Sequence, residues 1–301
     1  MADSRRPEVR QASFVEGEQP LISAVIKAKD EARHIADCIN SLRGFAQEII
    51  VVDDESEDGT AEIARRLGAR VIAASSAGES VNILDKIGFR AARGRWILRI
   101  DADERMSPAL AERLAAVARE GRYAGVRFAR KNIIFGGWVR HAGLFRSNQL
   151  RFFRADAWDP SWAGETHGHP PISGEVLTLP CREELATLHL NHDTVAEFIE
   201  RYMVKYSAGE ARVLRGKGKR FSLLRFIFRP LRRFLSHFVL RCGFRDGARG
   251  LVLAGLMAAA DLCTEAQLWD MERREGPPPC PQGKARAPAE SARHGDTGFG
   301  E

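Results

Sequence analysis

The chain has 301 residues, 44% of them hydrophobic and 29% charged, a balance that buries a substantial core and excludes a disordered charged tail or a small disulfide scaffold. Its net charge of +6 is unevenly spread: residues 212–249 hold twelve Lys or Arg against one acid, Asp246, so that segment carries +11 and the remainder −5. Five cysteines, at positions 38, 181, 242, 263 and 280, show no C-x-x-C spacing and read as packed thiols rather than a zinc or redox motif.

The first twenty residues are polar, with no apolar stretch behind their charges, so no secretory signal is expected and the chain is placed in the cytoplasm. Short apolar runs follow: LISAVIK (21–27), EIIVVDD (48–54), RVIAA (70–74) and RWILRID (95–101), separated by helical patterns that begin near Glu31, at AEIARRLG and before Arg95. Strands that are apolar on both faces and alternate with helices predict an α/β fold with a mostly parallel sheet covered by helices. Ligands of such sheets sit beyond the carboxyl ends of the strands. Three of the four strands run into charge there, at Lys27 to Asp30, Asp53 to Glu55 and Asp101 to Glu104.

Asp101 and Asp103 lie two positions apart and would share a strand face, opposite Trp96, Leu98, Ile100 and Ala102. Convergent carboxylates raise each other's pKa, so the pair predicts a hard divalent cation with positions left open for a phosphate, or else a solvated turn. VVDDESEDGT ends a second buried strand in the same way. Asp53 suits a nucleobase N–H or ribose hydroxyls, whereas Ser56 and Asp58 suit a helix cap.

SAVIKAKDEARHI, EIIVVDDESEDGT and GRWILRIDADE, in this order and spacing, resemble the nucleotide-sugar half of family-2 glycosyltransferases with the GT-A fold. The resemblance implies nucleotide-sugar contacts from Lys29, Asp30, Glu31, Asp53, Asp54 and Asp101. It also implies Mg2+ or Mn2+ held on the diphosphate by Asp101 and Asp103. One departure stands out: where many such enzymes read R-N-x-G, this chain reads Asp85, Lys86, Ile87, Gly88. The diphosphate-facing Arg is absent, and Lys86 is the candidate substitute.

From 123 to 180 the pattern turns irregular and aromatic, with strands expected in AGVRFARKNIIF and NQLRFFR. KNIIFGGWVRHAGLFRSNQLRFFR (131–154) resembles the lipopolysaccharide-core β-glucosyltransferase group. Trp138, Arg140, His141, Arg151 and, farther on, His167 are then the acceptor wall, since aromatic and Arg side chains suit a sugar bearing anionic groups. Trp138 and Phe145 fit a core equally well. An inverting transfer needs a base for the acceptor hydroxyl. The group's His-Glu pair is replaced here by GETHGHPP, so Glu165 is the expected base, with His167 and Asp159 as alternatives. In LHLNH, His189 matches the group's histidine and is the expected third metal or diphosphate contact.

A helix is predicted from Thr194, which has capping-box spacing to Glu197. Beyond Gly218, Phe221, Leu224, Phe228, Leu231, Leu235 and Phe238 recur at spacings of three and four, with Arg225, Arg229, Arg232 and Arg233 between them. This is an apolar stripe edged with guanidinium groups, which Pro230 should kink or break into two short helices. LVLAGLMAAA is about half of the roughly 20 residues needed to cross a bilayer. The region therefore reads as peripheral on an anionic membrane surface, the cytoplasmic face of the inner membrane. A continuous aliphatic and Phe face argues against nucleic acid as the partner.

The expected organisation is a polar segment over 1–19, a GT-A domain over 20–212 (nucleotide-sugar half 20–120, acceptor half 121–212), a basic helical membrane-associating region over 213–272, and a disordered tail over 273–301. The expected activity is metal-dependent, inverting transfer of a hexose, glucose by the resemblance, from a UDP-sugar to a hydroxyl of a lipid-linked saccharide. Transfer to a polyprenyl phosphate needs no base and is the alternative enzyme. Asp85 and Gly168 also permit a catalytically degenerate membrane-surface scaffold.

Overall fold

A computed structural model of the protein describes residues 21–76, 82–145, 148–162 and 170–276. Four parallel strands form one half of the sheet: β1 (Ile22–Ala28), β2 (Glu48–Asp54), β3 (Arg70–Ala74) and β4 (Trp96–Asp101), in the order β3-β2-β1-β4. The sheet continues through β8 (Gln149–Arg154), β6 (Gly125–Ile134), β10 (Ala186–His192) and β5 (Glu104–Arg105). Two short strands, β7 (Gly137–Trp138) and β9 (Val176–Thr178), pair with β6 off this path. β8 runs antiparallel to both of its neighbours, while β6 and β10 are parallel.

Alternating residues of the strands fill opposite cores, as a two-residue period requires. Ile22, Ala24, Ile26, Trp96, Leu98 and Ile100 pack with α1 (Ile35–Leu42) and α4 (Pro108–Glu120). Val25, Val52 and Ile97 pack on the other side with α3 (Asn82–Ala91) and Trp158. The helix α2 (Thr60–Arg66) follows Gly59, whose φ of +89° suits a residue without a side chain. Gly88 has a packing reason: a Cβ there would lie 2.2 Å from Val25 Cγ1, so α3 approaches β1 this closely because position 88 carries no side chain.

Strand register assembles the charged rim. Ala28 pairs with Asp53, Lys27 with Asp101, His189 with both Asn132 and Glu104. Residues up to 160 positions apart in sequence thus meet at one edge of the sheet.

After β10, Thr194 accepts a hydrogen bond from Glu197 N and opens α5 (Val195–Phe198), as the capping-box spacing predicts. The chain then winds as a π-helix over Ile199–Tyr206 and continues into α6 (Ser207–Gly216). α7 (Leu223–Leu235) and α8 (Gly247–Glu275) pack against each other, and α6 packs on α8. The predicted break at Pro230 does not occur. Arg225 meets Glu265 at 3.0 Å, Arg229 meets Asp261 at 3.2 Å, and Arg233 grips both oxygens of Asp261 at 2.9 Å. These contacts tie α7 to α8 on both sides of the proline and offset the backbone hydrogen bond that Pro230 cannot make.

This pairing inverts the helix relative to a soluble one. The guanidinium groups point inward to the buried Asp261 and Glu265, and the apolar stripe points out, with Leu224 68% and Phe228 58% exposed. Three of the segment's twelve basic residues are therefore paired with two acids of α8. The stretch Gly243–Glu275 is long and apolar enough, by length and composition, to cross a membrane, yet Asp261, Thr264 and Glu265 are buried against neighbouring helices.

Candidate active site

The acids at the end of β4 separate into two environments. Asp101 lies among cations: Arg151 Nη2 donates to Oδ2 at 3.0 Å, Arg130 Nη2 at 3.2 Å, and Lys27 Nζ is 3.6 Å from Oδ1. Glu104 is fully buried between Arg151 (2.7 Å) and Arg130 (2.8 Å), and it accepts from Asp101 N at 3.1 Å. Burial alone would raise Asp101, but Arg151 above all, then Lys27 and Arg99, hold it well below the usual carboxylate range. Burial, followed by the Asp101 charge, pushes Glu104 up. The counter-charge that the sequence argument gave Asp101 as a divalent ion is here supplied by side chains.

The network extends to Asp85, which is 1% exposed and contacts Arg99 at 2.8 Å and Lys27 at 3.5 Å. An acid on α3 is thus matched by cations on β4 and β1, which gives the departure from R-N-x-G a structural role. Lys86 is half-buried on the same helix, with no carboxylate within ion-pair distance among the described residues.

Asp103 faces the other way. Its Oδ2 lies 3.3 Å from His189 Nε2, and its carbonyl accepts from Leu190 N at 2.9 Å. His189 Nδ1 sits 2.7 Å from Asn132 Oδ1, and the Asn132 amide nitrogen is oriented by the Leu144 and Arg130 carbonyls. Nδ1 therefore carries the hydrogen toward Asn132 and Nε2 is the nitrogen directed at Asp103. Among the described residues no three His, Cys, Asp or Glu side chains converge as a metal cage; Asp103 and His189 form a two-donor pair.

A cavity of about 310 Å3 opens beside Asp103, lined by Glu31, His34, His192, Arg33 and Arg201 among others. Burial, then the charge of Asp103, raises Glu31 to about 7. Burial, then Arg201, lowers His192 to about 4.

Toward β2, Asp53 is 5% exposed; its Oδ2 accepts from Ser56 N at 3.2 Å, while Oδ1 is buried with no hydrogen-bond partner. Asp54 is committed elsewhere, accepting from Ser76 N and Oγ at 2.7 Å each, with Lys29 at 3.6 Å. Asp30, at φ +52°, bridges the β1 and β2 loops by donating to Ser56 Oγ and accepting from Glu57 N, both at 2.9 Å. Glu31 N donates to Thr60 Oγ1 at 2.8 Å, leaving its carboxylate to the cavity.

On the acceptor side, Trp138 lies beneath Lys131 (4.6 Å) and Arg140 (5.0 Å) and packs edge-on against Phe145 at 5.3 Å. His141 is bound to Asp246 through Nδ1 at 2.9 Å and through its backbone N–H, which ties it to the helical extension. Arg151, placed on the acceptor wall by the sequence reading, is instead 2% exposed with its guanidinium spent on Glu104 and Asp101. Asp159 caps Ser161 at N (2.8 Å) and Oγ (2.7 Å). Glu165 and His167 lie outside the described residues.

Four contributors were not singled out from sequence: Lys27, Arg130, Asn132 and Arg201. Lys27 carried a signal, being a charge in an otherwise apolar strand, which requires a buried acid; Arg130, on a strand that also holds Arg127 and Lys131, did not stand out. Asn132 and Arg201 carried none.

The profile described as "Glycosyl transferase family 2" matches residues 23–177, just over half of the chain. The protein belongs to glycosyltransferase family 2. An uncharacterized glycosyltransferase of Rickettsia felis is 27% identical over 82% of this chain and 89% of its own length. The lipopolysaccharide core biosynthesis glycosyltransferase LpsC of Rhizobium meliloti is 28% identical over 79% of this chain and 90% of its own. Among solved structures, S. aureus TarS residues 1–349 overlays with a TM-score of 0.42 at 14% identity, over 85% of this chain and 91% of that one. This glycosyltransferase has the GT-A-type architecture: a mixed, mostly parallel sheet flanked by helices, here carrying a C-terminal helical extension.

Proposed function

We propose that this glycosyltransferase is metal-dependent and inverting, and moves a hexose, glucose being the first donor to test, from a UDP-sugar to a hydroxyl of a lipid-linked saccharide such as a lipopolysaccharide core. The observation that carries the reading is the Asp103–His189 pair, an oxygen and a nitrogen donor 3.3 Å apart with the histidine's other nitrogen held by Asn132. That second partner fixes the ring and its tautomer, as for histidines that ligate metals. Two protein donors leave positions for diphosphate oxygens and water, a fit for Mg2+ or Mn2+. When bound, the ion neutralises charge developing on the leaving diphosphate.

The chain's own residues supply the rest. Asp53 Oδ1, buried without a partner, accepts a nucleobase N–H, and a uracil ring offers one. Asp101, locked by Arg151, holds the strand end that presents Asp103. Trp138 with Arg140 forms a flat, cationic wall for a sugar bearing anionic groups. Glu165 takes the proton of the acceptor hydroxyl as that oxygen attacks the anomeric carbon from the face opposite the diphosphate. The likeness to LpsC supports a saccharide acceptor in lipopolysaccharide synthesis.

The outward apolar stripe of α7 supports docking on the cytoplasmic face of the inner membrane, with the helix in the plane of the interface. Arg232 on α7 and Lys217, Lys219 and Arg220 before it are exposed and belong to no ion pair among the described residues, and they suit anionic headgroups.

Calorimetry of UDP with and without Mn2+, followed by a donor screen with a saccharide acceptor, tests this reading. Metal-enhanced UDP binding and a product of inverted anomeric configuration by NMR are expected. No UDP binding with Mn2+ present refutes it, and full transfer by Glu165→Ala refutes the base assignment.

A further inference from the structure

The cavity beside Asp103 contains a cation that belongs to no ion pair among the described residues. Lys29 is 3.6 Å from Asp54, Arg33 is 2.9 Å from Glu197, and Lys205 is 2.9 Å from Glu200. Arg201 lines the same cavity and is only half-exposed, yet no carboxylate lies within ion-pair distance of it among the described residues. A partly desolvated guanidinium left unpaired is costly, so its position makes physical sense if a ligand brings the charge.

The fold holds Arg201 there by a mechanism visible in the ring contacts. Phe198 is buried in the core with Ile134, Val139 and Leu253. Tyr202 stacks on it at 4.4 Å and 7°, and His192 meets both rings edge-on at 5.4 and 5.5 Å. With 198 and 202 pinned to the body, Glu197, Glu200, Arg201 and Lys205 form the opposite face and line the cavity. The π-helical winding of Ile199–Tyr206 is itself a geometry concentrated at functional sites.

On the other side of the site, Lys86 is also outside any ion pair among the described residues, but it is a half-buried ammonium on α3 without a guanidinium's two-point fork. Asp85 stands where the sequence comparison expects an Arg, and it is closed off by Arg99 and Lys27. Resting on the nucleotide-sugar reading above, we propose that Arg201 is the side chain that grips the leaving diphosphate, from the cavity whose lining it shares with Asp103. Charge that develops on the departing phosphate oxygens is then met by a fixed guanidinium as well as by the metal.

The test is calorimetry with Mn2+ on the full-length protein and on Arg201→Ala and Arg201→Lys, titrating UDP and, separately, uridine. UDP should bind Arg201→Ala roughly 10- to 100-fold more weakly, uridine should bind unchanged, and Arg201→Lys should recover part of the loss because it keeps the charge without the fork. A structural role would move uridine and UDP together and lower the melting temperature. UDP affinity within about twofold of wild type overturns the assignment, including the case in which only the KM for a phosphorylated acceptor rises, which would move Arg201 to the acceptor. Wild-type protein that binds uridine but not UDP overturns it as well, whereas wild type that binds neither overturns the nucleotide-sugar reading on which it rests.

Discussion

Replacing Arg151 with Met tests whether the buried ion network holds the site together. The substitution keeps much of the side chain's volume and removes a guanidinium that donates to Glu104 at 2.7 Å and to Asp101 at 3.0 Å. Breaking a buried pair by deleting one partner costs about 3–5 kcal/mol. Arg130 remains 2.8 Å from Glu104 and 3.2 Å from Asp101, so the lower end, about 3 kcal/mol, is expected. For a chain of 301 residues that lowers the melting temperature by roughly 5 °C. The pH dependence supplies the sign. In the native protein the Asp101 carboxyl is held below its unfolded value near ~4, so its contribution is complete above that pH and lost on acidification below it. Arg151 lowers both carboxyls, so its removal moves both folded pKa values up relative to wild type; the variant then holds more protons, and its deficit is largest at pH 8 and shrinks toward pH 5. Thermal melts of both proteins across that range measure it, and adding Glu104→Gln to the variant should restore part of the loss. A deficit below about 1 kcal/mol, or one that grows on acidification, refutes the argument.

Asn132→Leu should weaken Mn2+-dependent UDP binding roughly 10- to 100-fold while leaving metal-free uridine binding unchanged, read by calorimetry. Asp53→Asn should lower uridine affinity about tenfold or more with little change in melting temperature, because its one internal hydrogen bond is a 3.2 Å contact from Ser56 N; unchanged affinity would remove Asp53 from the nucleoside pocket. Leu224→Asp combined with Phe228→Asp should release the protein from phospholipid vesicles in a sedimentation assay, whereas wild type should remain bound in about 0.5 M salt, since an apolar face is not screened. His192, lowered to about 4 by burial and then Arg201, is neutral when folded and takes a proton more readily when unfolded. Stability should therefore fall as pH drops from about 6.5 toward 4, and His192→Gln should flatten that slope.

The sheet was legible because its information is local. EIIVVDD and RVIAA coincide with β2 and β3, and the other predicted strands differ by a residue or two at their ends, since a run apolar on both faces admits few alternatives. The rim was legible for the same reason: acids at strand ends must gather where the strands end. What each acid does there was not. Asp101 and Asp103 share a motif and a spacing, but the chain turns after β4. One carboxylate is taken by Arg151, fifty residues away, and the other faces His189, more than eighty away. Pairings of that kind depend on the antiparallel insertion of β8 between β4 and β6, which no local pattern encodes.

The basic segment shows the same limit with the opposite consequence. Counting charge along 212–249 predicts a surface that seeks anions. In space, Arg225, Arg229 and Arg233 find Glu265 and Asp261, 28 to 40 residues onward on α8. A run of one sign thus became an internal fastening, and the residues turned outward to make room for it are apolar. That outcome is costly in water, where an exposed row of Leu, Ile and Phe gains nothing, and favourable where the exposed face meets hydrocarbon. On the membrane reading proposed above, the arginines act by fixing which face of α7 is left exposed. Substituting them should loosen α7 from α8 and lower stability before it alters any electrostatic attraction to a bilayer.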